Sequence, residues 1–500
     1  MKNKNSSTNW SFDYFFAATF FISVLAGCIM LGPRLLNMDG DLGRHLTVGS
    51  YILDSGKIPT LDIFSHTMTG KPFTPHEWLT EIIFSLANRW LGLTGVVFLT
   101  SLIIALVWYL LSFEVMKRSG GFYFSLVVII IGIAASSIHW ISRPHIFTYI
   151  FLLLWIKIYS SNLFIFKKCA ALALLMIIWV NSHGAFITGI VYIGIDIAVH
   201  FISSIFSKSI NKDIHQFKKS ILIFLIACGA LLINPTGFQI LGTVFNFLQN
   251  RYLTSQTLEY QPPNLLAPSF IPFTIFLLIC AYYLFRFRKH IKLVDAFQIV
   301  IWSIFGIISA RNIPLAIIVG LPIFSFYYGM KNKVNNAINN EKSTSSRNEF
   351  LNPRLAIGIA LPVLISIAVF VLVIKGPGMI QRNEFLPTKF PLKAVDYIIA
   401  NPIEGNMFNE FTWGGYLLYR LWPEQKVFID GQTDFYGEDL TREFADVYNA
   451  NINFEDILNK YSVNWVIVRQ RSKLAYELEK NPGLWMLDYK DELSVIYSRK

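Results

Sequence analysis

Two carboxylates, a guanidinium and an imidazole fall within the string Asp39-Gly-Asp-Leu-Gly-Arg-His45, just past an apolar run long enough to cross a bilayer. Charge this dense beside a membrane is costly unless it faces water or a partner, so it is a candidate for chemistry. In D-x-D spacing, Asp39 and Asp41 suit a divalent cation, magnesium or manganese, held against phosphate oxygens. Alternatively, one of them suits a general base beside a hydroxyl acceptor. Arg44 and His45 add an ion-pairing fork and a titratable ring. The bland counterpart is a solvated juxtamembrane loop whose aspartates cap the helix that follows.

Further polar residues stand at the edges of other apolar runs. His76-Glu77 opens like a zinc-protease helix, but Thr80 stands where the second histidine is required, which disfavours a metalloprotease. The pair is read either as an acidic first helical turn or as pocket lining. Arg143-Pro-His145 and Ala310-Arg311-Asn312 place guanidiniums at the ends of short spans. There they either snorkel to the interface or converge into a bidentate phosphate clamp. His183, after Trp179-Val-Asn181, is a polar cap or a pocket residue. Asp196 lies in mid-span and reads as a protonated, hydrogen-bonded structural acid. Trp413-Gly-Gly-Tyr416 and Phe428-Ile-Asp430-Gly431 are turn chemistry. Exposed aromatics beside Asp430 would equally suit a sugar ring and its hydroxyls.

The elements that position these residues are mostly membrane helices. The chain has 500 residues, 54% hydrophobic and 15% charged, with mean hydropathy +0.47, too apolar for a soluble protein. The formal charge of +11 follows from lysines and arginines in alternate loops, so nucleic acid is not an expected partner. All four cysteines lie in or beside apolar runs, which excludes a disulfide framework and a Cys-type zinc site. Residues 12–31 are longer than a signal-peptide core and lack a cleavage site, so they are expected to stay as an anchor.

Eleven apolar segments are expected as spans: 12–32, 95–113, 122–141, 146–161, 169–181, 184–206, 220–233, 269–285, 294–310, 312–329 and 355–375. Basic residues at Lys2/Lys4, Lys117/Arg118, Lys167/Lys168, Lys218/Lys219, Arg286/Arg288 and Lys331/Lys333 mark one face as cytoplasmic, the N-terminus included. The loop 33–94, the turns carrying Arg143, His145, His183 and Arg311, and the residues after 376 then lie outside. Short spans carry those turns below the surface, where irregular backbone is tolerated only if it lines a cavity. Within the loop, 76–92 reads as an amphipathic helix lying on the membrane, its stripe Trp78, Leu79, Ile82, Ile83, Leu86 and Trp90 with Glu77 and Glu81 off it. The fold class is thus an α-helical polytopic membrane protein with a small external C-terminal α/β domain. Residues 1–330 form the transmembrane domain, 331–354 a cytoplasmic linker, 355–375 the last span and 376–500 the external domain. In that last part, helical patterns at 391–401, 413–421 and 438–449 alternate with strand-like 426–429, 464–468 and 494–497.

Together, Asp41-Leu-Gly-Arg-His45 with Gly49, Asp62-Ile-Phe-Ser65, His76-Glu-Trp-Leu79, Arg143-Pro-His145, Asn181-Ser-His183-Gly184, Asn234-Pro-Thr-Gly237, Arg311-Asn312, Gly414-Gly415 and Asp430-Gly431 resemble a family of bacterial polytopic membrane proteins. That family is similar to the GT-C-fold glycosyltransferases, the class containing protein O-mannosyltransferases, oligosaccharyltransferases and lipid A aminoarabinose transferases. The resemblance implies transfer of a sugar from a polyprenyl-phosphate carrier to a glycan, lipid or protein acceptor at the outer face of the cytoplasmic membrane. Asp41, or Asp39, would be the base. Arg143 and Arg311 would hold the departing phosphate, and His45, His76, His145 and His183 would bind substrate or orient the acids, with Arg44, Glu77 and Asp430 also lining the site. One base and one displacement imply inversion, by analogy with inverting hydrolases. Protein mannosyltransferases act without a metal and oligosaccharyltransferases with one, so a cation at Asp39 and Asp41 stays open. A flippase for a lipid-linked glycan needs the same cavity and arginines without the base. A structural assembly protein needs neither.

Overall fold

The computed structural model describes residues 7–206, 210–340 and 383–500. Helical segments Phe12–Met30, Trp78–Ser119, Phe122–His139, Gly184–Ile205 and Ala310–Lys331 are long and apolar enough to cross a membrane. Helices His145–Tyr159, Ile271–Arg286 and Leu293–Ile308 are apolar but shorter. The apolar runs at 169–181 and 220–233 fall within helices Ile165–Val180 and Ile210–Ala230. By length and composition, five helices among the described residues are long enough for a full crossing and three more are apolar but shorter, so the expected eleven spans are not confirmed. Single turns of 3-10 helix at Ser137–His139, Gly184–Phe186 and Ala310–Asn312 stand at one end of three of the five long segments, where the polar motifs sit. The expected span 355–375 lies outside the described residues. So does the linker beyond Asn340, up to which the helix begun at Ile313 continues.

The first polar loop holds two structural devices. Helix Leu42–Ser55 ends at Gly56, whose left-handed φ of 67° lets its N–H bond the Ile52 carbonyl at 2.9 Å. The helix from Trp78 breaks at Gly92, with φ 61° and ψ −158°, a conformation open to glycine. The expected amphipathic helix therefore ends there and hands over to a span. Trp90 is 83% exposed, but Glu81 is buried. The polar face of this helix thus turns into the protein and packs on Leu42–Ser55, while Leu86 and Trp90 point away. Asp62, buried, accepts bonds from the Phe64 and Ser65 N–H groups and the Ser65 hydroxyl, so Asp62-Ile-Phe-Ser65 is a turn-building motif.

The C-terminal residues form a four-stranded sheet ordered β1-β2-β4-β3, with β1 Asn406–Asn409, β2 Val463–Arg469, β3 Trp485–Lys490 and β4 Ser494–Arg499. β1 and β2 are parallel, and the other neighbours are antiparallel. One face packs on Phe428, Tyr436 and Phe444, while Trp465, Ile467 and Ile496 join the hydrophobic core shared with the membrane helices. The expected strand 426–429 is not in the sheet. Val427 instead pairs with Ser65, its N–H on the Phe64 carbonyl at 3.2 Å and its carbonyl accepting from His66 N–H at 3.0 Å. The buried Asn409 side chain supplies the bonds that strand pairing would have given, accepting from Phe428 N–H at 2.8 Å and donating to the Ile429 carbonyl at 2.9 Å.

This joins the first loop to the C-terminal domain at backbone contact. A Cβ on Gly43 would lie 2.3 Å from the Gly415 carbonyl oxygen, and one on Gly415 would lie 2.3 Å from that of Gly40. A Cβ on Gly431 would collide with the Asp41 carboxylate. The Asp41, Gly414-Gly415 and Asp430-Gly431 strings are therefore parts of a single contact. Trp413 and Tyr416 are buried in it, at 0% and 1% exposure, which removes them as exposed sugar platforms.

Candidate active site

The accessible part of the site is built around Arg143, in the turn before helix His145–Tyr159. Its Nη2 lies 2.6 Å from Asp41 Oδ2, and its Nη1 lies 3.2 Å from Asp39 Oδ2 and 3.7 Å from Glu259 Oε2. The other Glu259 oxygen faces Arg311 Nη1 at 3.4 Å, so a single carboxylate bridges the two arginines. The Arg311 guanidinium also bonds the Tyr260 hydroxyl and lies over the Tyr260 ring, 4.4 Å from its centre. Neither aspartate caps a helix by its side chain. Asp41 occupies the N-cap position of Leu42–Ser55 without a capping bond, and Asp39 Oδ1 accepts from Asp41 N–H at 3.1 Å. The place between them that a cation would take is held by a guanidinium.

The deeper part lies on helices Leu42–Ser55 and Trp78–Ser119 and on the loop after Val427. Arg44 is buried, with Nη1 3.4 Å from Glu81 Oε1, Nε 3.3 Å from Asp430 Oδ2 and its guanidinium 5.4 Å from the Phe73 ring centre. His45 Nδ1 lies 3.1 Å from Glu81 Oε1 and 3.8 Å from Glu77 Oε2. His76 faces Glu77 at 4.0 Å and Asp434 at 3.9 Å, and His183 faces Glu77 at 3.8 Å. His183 is also the cap read from the sequence, its Nδ1 accepting from Ala185 N–H at 3.3 Å. His145 donates from Nε2 to the His139 carbonyl at 2.9 Å and packs against the His139 ring, so it supports the site from behind. Asp196 stands apart, bonded by Ser220 at 2.6 Å and by Tyr159, as a structural acid should be.

Charge and burial set the proton affinities. Burial works against the Glu259 carboxylate, yet Arg311 and Arg143 beside it hold it well below the usual carboxylate range. Burial likewise opposes a charged His45, but its hydrogen bond to Glu81 and the charge of Glu77 raise it. Asp430 is pushed up by burial against the pull of Arg44. Asp39 is pushed up to about 6 by burial, with Asp41 and Glu259 adding repulsion and Arg143 opposing.

That last shift makes a prediction. A folded-state affinity above the ordinary aspartate value of 3.8 means the folded chain holds the Asp39 proton more tightly than the unfolded chain. Ionising Asp39 then withdraws stability as pH rises from about 4 to about 6. Thermal midpoints of the detergent-solubilised protein are expected to decline across that window, and Asp39→Asn to flatten the decline. Parallel curves for the two proteins would refute the assignment.

All eleven residues singled out from the sequence, Asp39, Asp41, Arg44, His45, His76, Glu77, Arg143, His145, His183, Arg311 and Asp430, fall in or directly behind this cluster. Glu81, His139, Glu259 and Asp434 were missed. Glu81 follows Glu77 by four residues on one helix face, a legible signal. His139 ends an apolar run, and Glu259 lies in a loop with no motif around it. Only the fold brings them in.

The helical membrane domain with its small C-terminal domain has the GT-C fold of oligosaccharyltransferases. Among the solved structures it resembles are those of the oligosaccharyltransferase AglB of Archaeoglobus fulgidus. The complex with an inhibitory peptide and a dolichol-phosphate superposes with TM-score 0.58 at 13% identity, covering 97% of this chain and 74% of that one. The form tethered to an acceptor peptide containing the NVT sequon gives 0.54 at 13% identity, covering 96% and 74%. The apo form gives 0.52 at 13% identity, covering 90% and 69%. No family model matches the sequence, and no curated protein does.

Proposed function

We propose that the protein is a membrane glycosyltransferase moving a sugar from a polyprenyl-phosphate-linked donor to an acceptor at the outer face of the cytoplasmic membrane. The observation that carries this reading is the pair of partly exposed arginines, Arg143 and Arg311, held together by Glu259. A donor phosphate offers the same oxygens that Glu259 now presents, and two guanidiniums fit it bidentately. The fold shared with AglB, one of whose structures holds a dolichol-phosphate, supports it.

In the step proposed, the acceptor oxygen attacks the anomeric carbon and the carbon–oxygen bond to phosphate breaks. The acceptor proton passes to the Asp41 carboxylate. The leaving phosphate keeps the bonding electrons and is stabilised by Arg143 and Arg311. Arg143 engages Asp41 now, so its turn towards the phosphate would also free the base. Asp39 retains Arg143 in place, Arg44 with Asp430 fixes the loop that carries Asp41, and Glu77, His76 and His183 line the acceptor side. His45, Glu77 and Glu81 bring metal-ligating atoms within 4.8 Å of one another, so a divalent cation would be held there more readily than at the Arg143-paired aspartates.

Purified protein in nanodiscs with labelled polyprenyl-phosphate sugars tests the reading. Asp41→Asn is expected to lower transfer by about a hundredfold or more. Arg311→Ala should raise the donor concentration needed. Wild-type transfer in both variants would sink the proposal, and loss of lipid-linked glycan export in Arg311→Ala alone would favour translocation.

A further inference from the structure

We infer that the His45, Glu77 and Glu81 side chains form a binding site for a divalent transition metal, zinc(II) or manganese(II), with His76 as a fourth ligand. The inference concerns the same site as the proposed transfer but not the reaction, so either can fail without the other.

The geometry comes first. His45 Nδ1 lies 3.1 Å from Glu81 Oε1 and 3.8 Å from Glu77 Oε2, and the ligand atoms of all three side chains lie within 4.8 Å of one another. Ligands around a zinc ion at bonds of about 2.1 Å stand about 3.4 Å apart, so the pairs at 3.1 and 3.8 Å already stand near that spacing, and side-chain rotation closes the rest. Glu77 is the telling residue. Imidazoles face its two oxygens at 3.8, 4.0 and 3.8 Å, none within hydrogen-bond distance.

Hydrogen bonds on the far sides of the rings fix what they present. His76 Nδ1 lies 3.1 Å from the Thr74 carbonyl and donates to it, so Nε2 is the nitrogen that faces Glu77 and would take the metal. His183 Nδ1 accepts from Ala185 N–H, which turns Nε2–H towards Glu77 at 3.8 Å, on the outer side where partners that orient metal ligands stand. Arg44 plays the same part for Glu81.

Charge points the same way. Among the described residues, the carboxylates Glu77, Glu81, Asp430 and Asp434 contact a single guanidinium, Arg44. Their other ionic neighbours are histidines. A divalent ion offsets the excess in a site too closed for water to screen it. The scaffold is rigid: a Cβ on Gly49 would lie 2.0 Å from the Glu81 carbonyl oxygen, and Ser85 bonds the Leu46 carbonyl at 2.8 Å, so the two ligand-bearing helices are locked together. Mixed imidazole and carboxylate donors select zinc or manganese over the all-oxygen preference of magnesium and calcium.

The full-length protein, stripped with EDTA, is titrated with zinc chloride, manganese chloride and magnesium chloride by calorimetry, with metal content read after gel filtration. Zinc or manganese should bind at about one equivalent per chain and raise the thermal midpoint, with magnesium weaker by at least about tenfold. Glu77→Gln should weaken the preferred metal by at least about tenfold with the metal-free midpoint unchanged. His76→Gln should weaken it less. Stoichiometry far below one, unaltered binding in Glu77→Gln, binding lost in Asp39→Asn but not in Glu77→Gln, or equal affinity for magnesium would each overturn the assignment.

Discussion

Replacing Arg143 by alanine is expected to abolish sugar transfer, with a loss of about a thousandfold. The residue engages Asp39, Asp41 and Glu259 together, and its removal leaves Glu259 with Arg311 and, among the described residues, leaves Asp39 and Asp41 with no guanidinium partner. Stability should fall too, by about 3 kcal/mol, because the aspartates lose their counter-charge. Arg143→Lys separates the two effects. It restores the charge but not the fork that pairs with the aspartates at rest and meets the phosphate bidentately in the transfer, so it should recover most of the thermal midpoint and little of the transfer. Thermal unfolding in detergent beside a transfer assay measures both. Full activity in Arg143→Lys would show that a point charge suffices and would remove the bidentate clamp from the proposed mechanism.

The second large effect is expected at a residue without a side chain. Gly43→Ala places a methyl group 2.3 Å from the Gly415 carbonyl oxygen and 2.7 Å from its carbon, contacts that backbone on both sides cannot yield. Overpacking of this kind costs about 1 to 3 kcal/mol. Because the Arg44–Asp430 pair crosses the same contact one residue away, the displacement should also open the deep part of the site. Protease should cut the C-terminal domain faster in Gly43→Ala, and activity should fall with it. Gly56→Ala is the comparison, since its φ of 67° strains alanine while no atom stands within 4 Å. If both substitutions gave the same protease sensitivity, close approach would not be what holds the domain.

The site residues were legible because each sits at the edge of an apolar run, where charge has no structural excuse. Arg143, His183 and Arg311 announce themselves this way, and the alternation of basic loops put them on one side with Asp39 and Asp41. The span count was less legible. Hydropathy marks where a helix is apolar but not where it ends, and His145–Tyr159, Ile271–Arg286 and Leu293–Ile308 run shorter than a full crossing. Strand 426–429 was misread for a related reason. Lys-Val-Phe-Ile has strand composition, but its hydrogen-bonding partner is Ser65, more than three hundred and fifty residues away, and composition carries no address. Glu259 is the same case in the site itself. Its neighbours Leu258, Tyr260 and Gln261 give no periodic signal, and its role exists only once the two arginines meet around it.

The contact of Gly40, Gly43 and Asp41 with Gly415 and Gly431 also sets an order of events during synthesis. Arg44 reaches the membrane surface with the first helices, whereas Asp430, which neutralises it, leaves the ribosome only after the spans are made. Until then Arg44 has one of the two carboxylates that hold it in the folded chain, Glu81 on the helix from Trp78, and lacks the other. Docking of the last domain therefore completes the ion pairs of the first loop, so the part of the site made earliest is the part finished last.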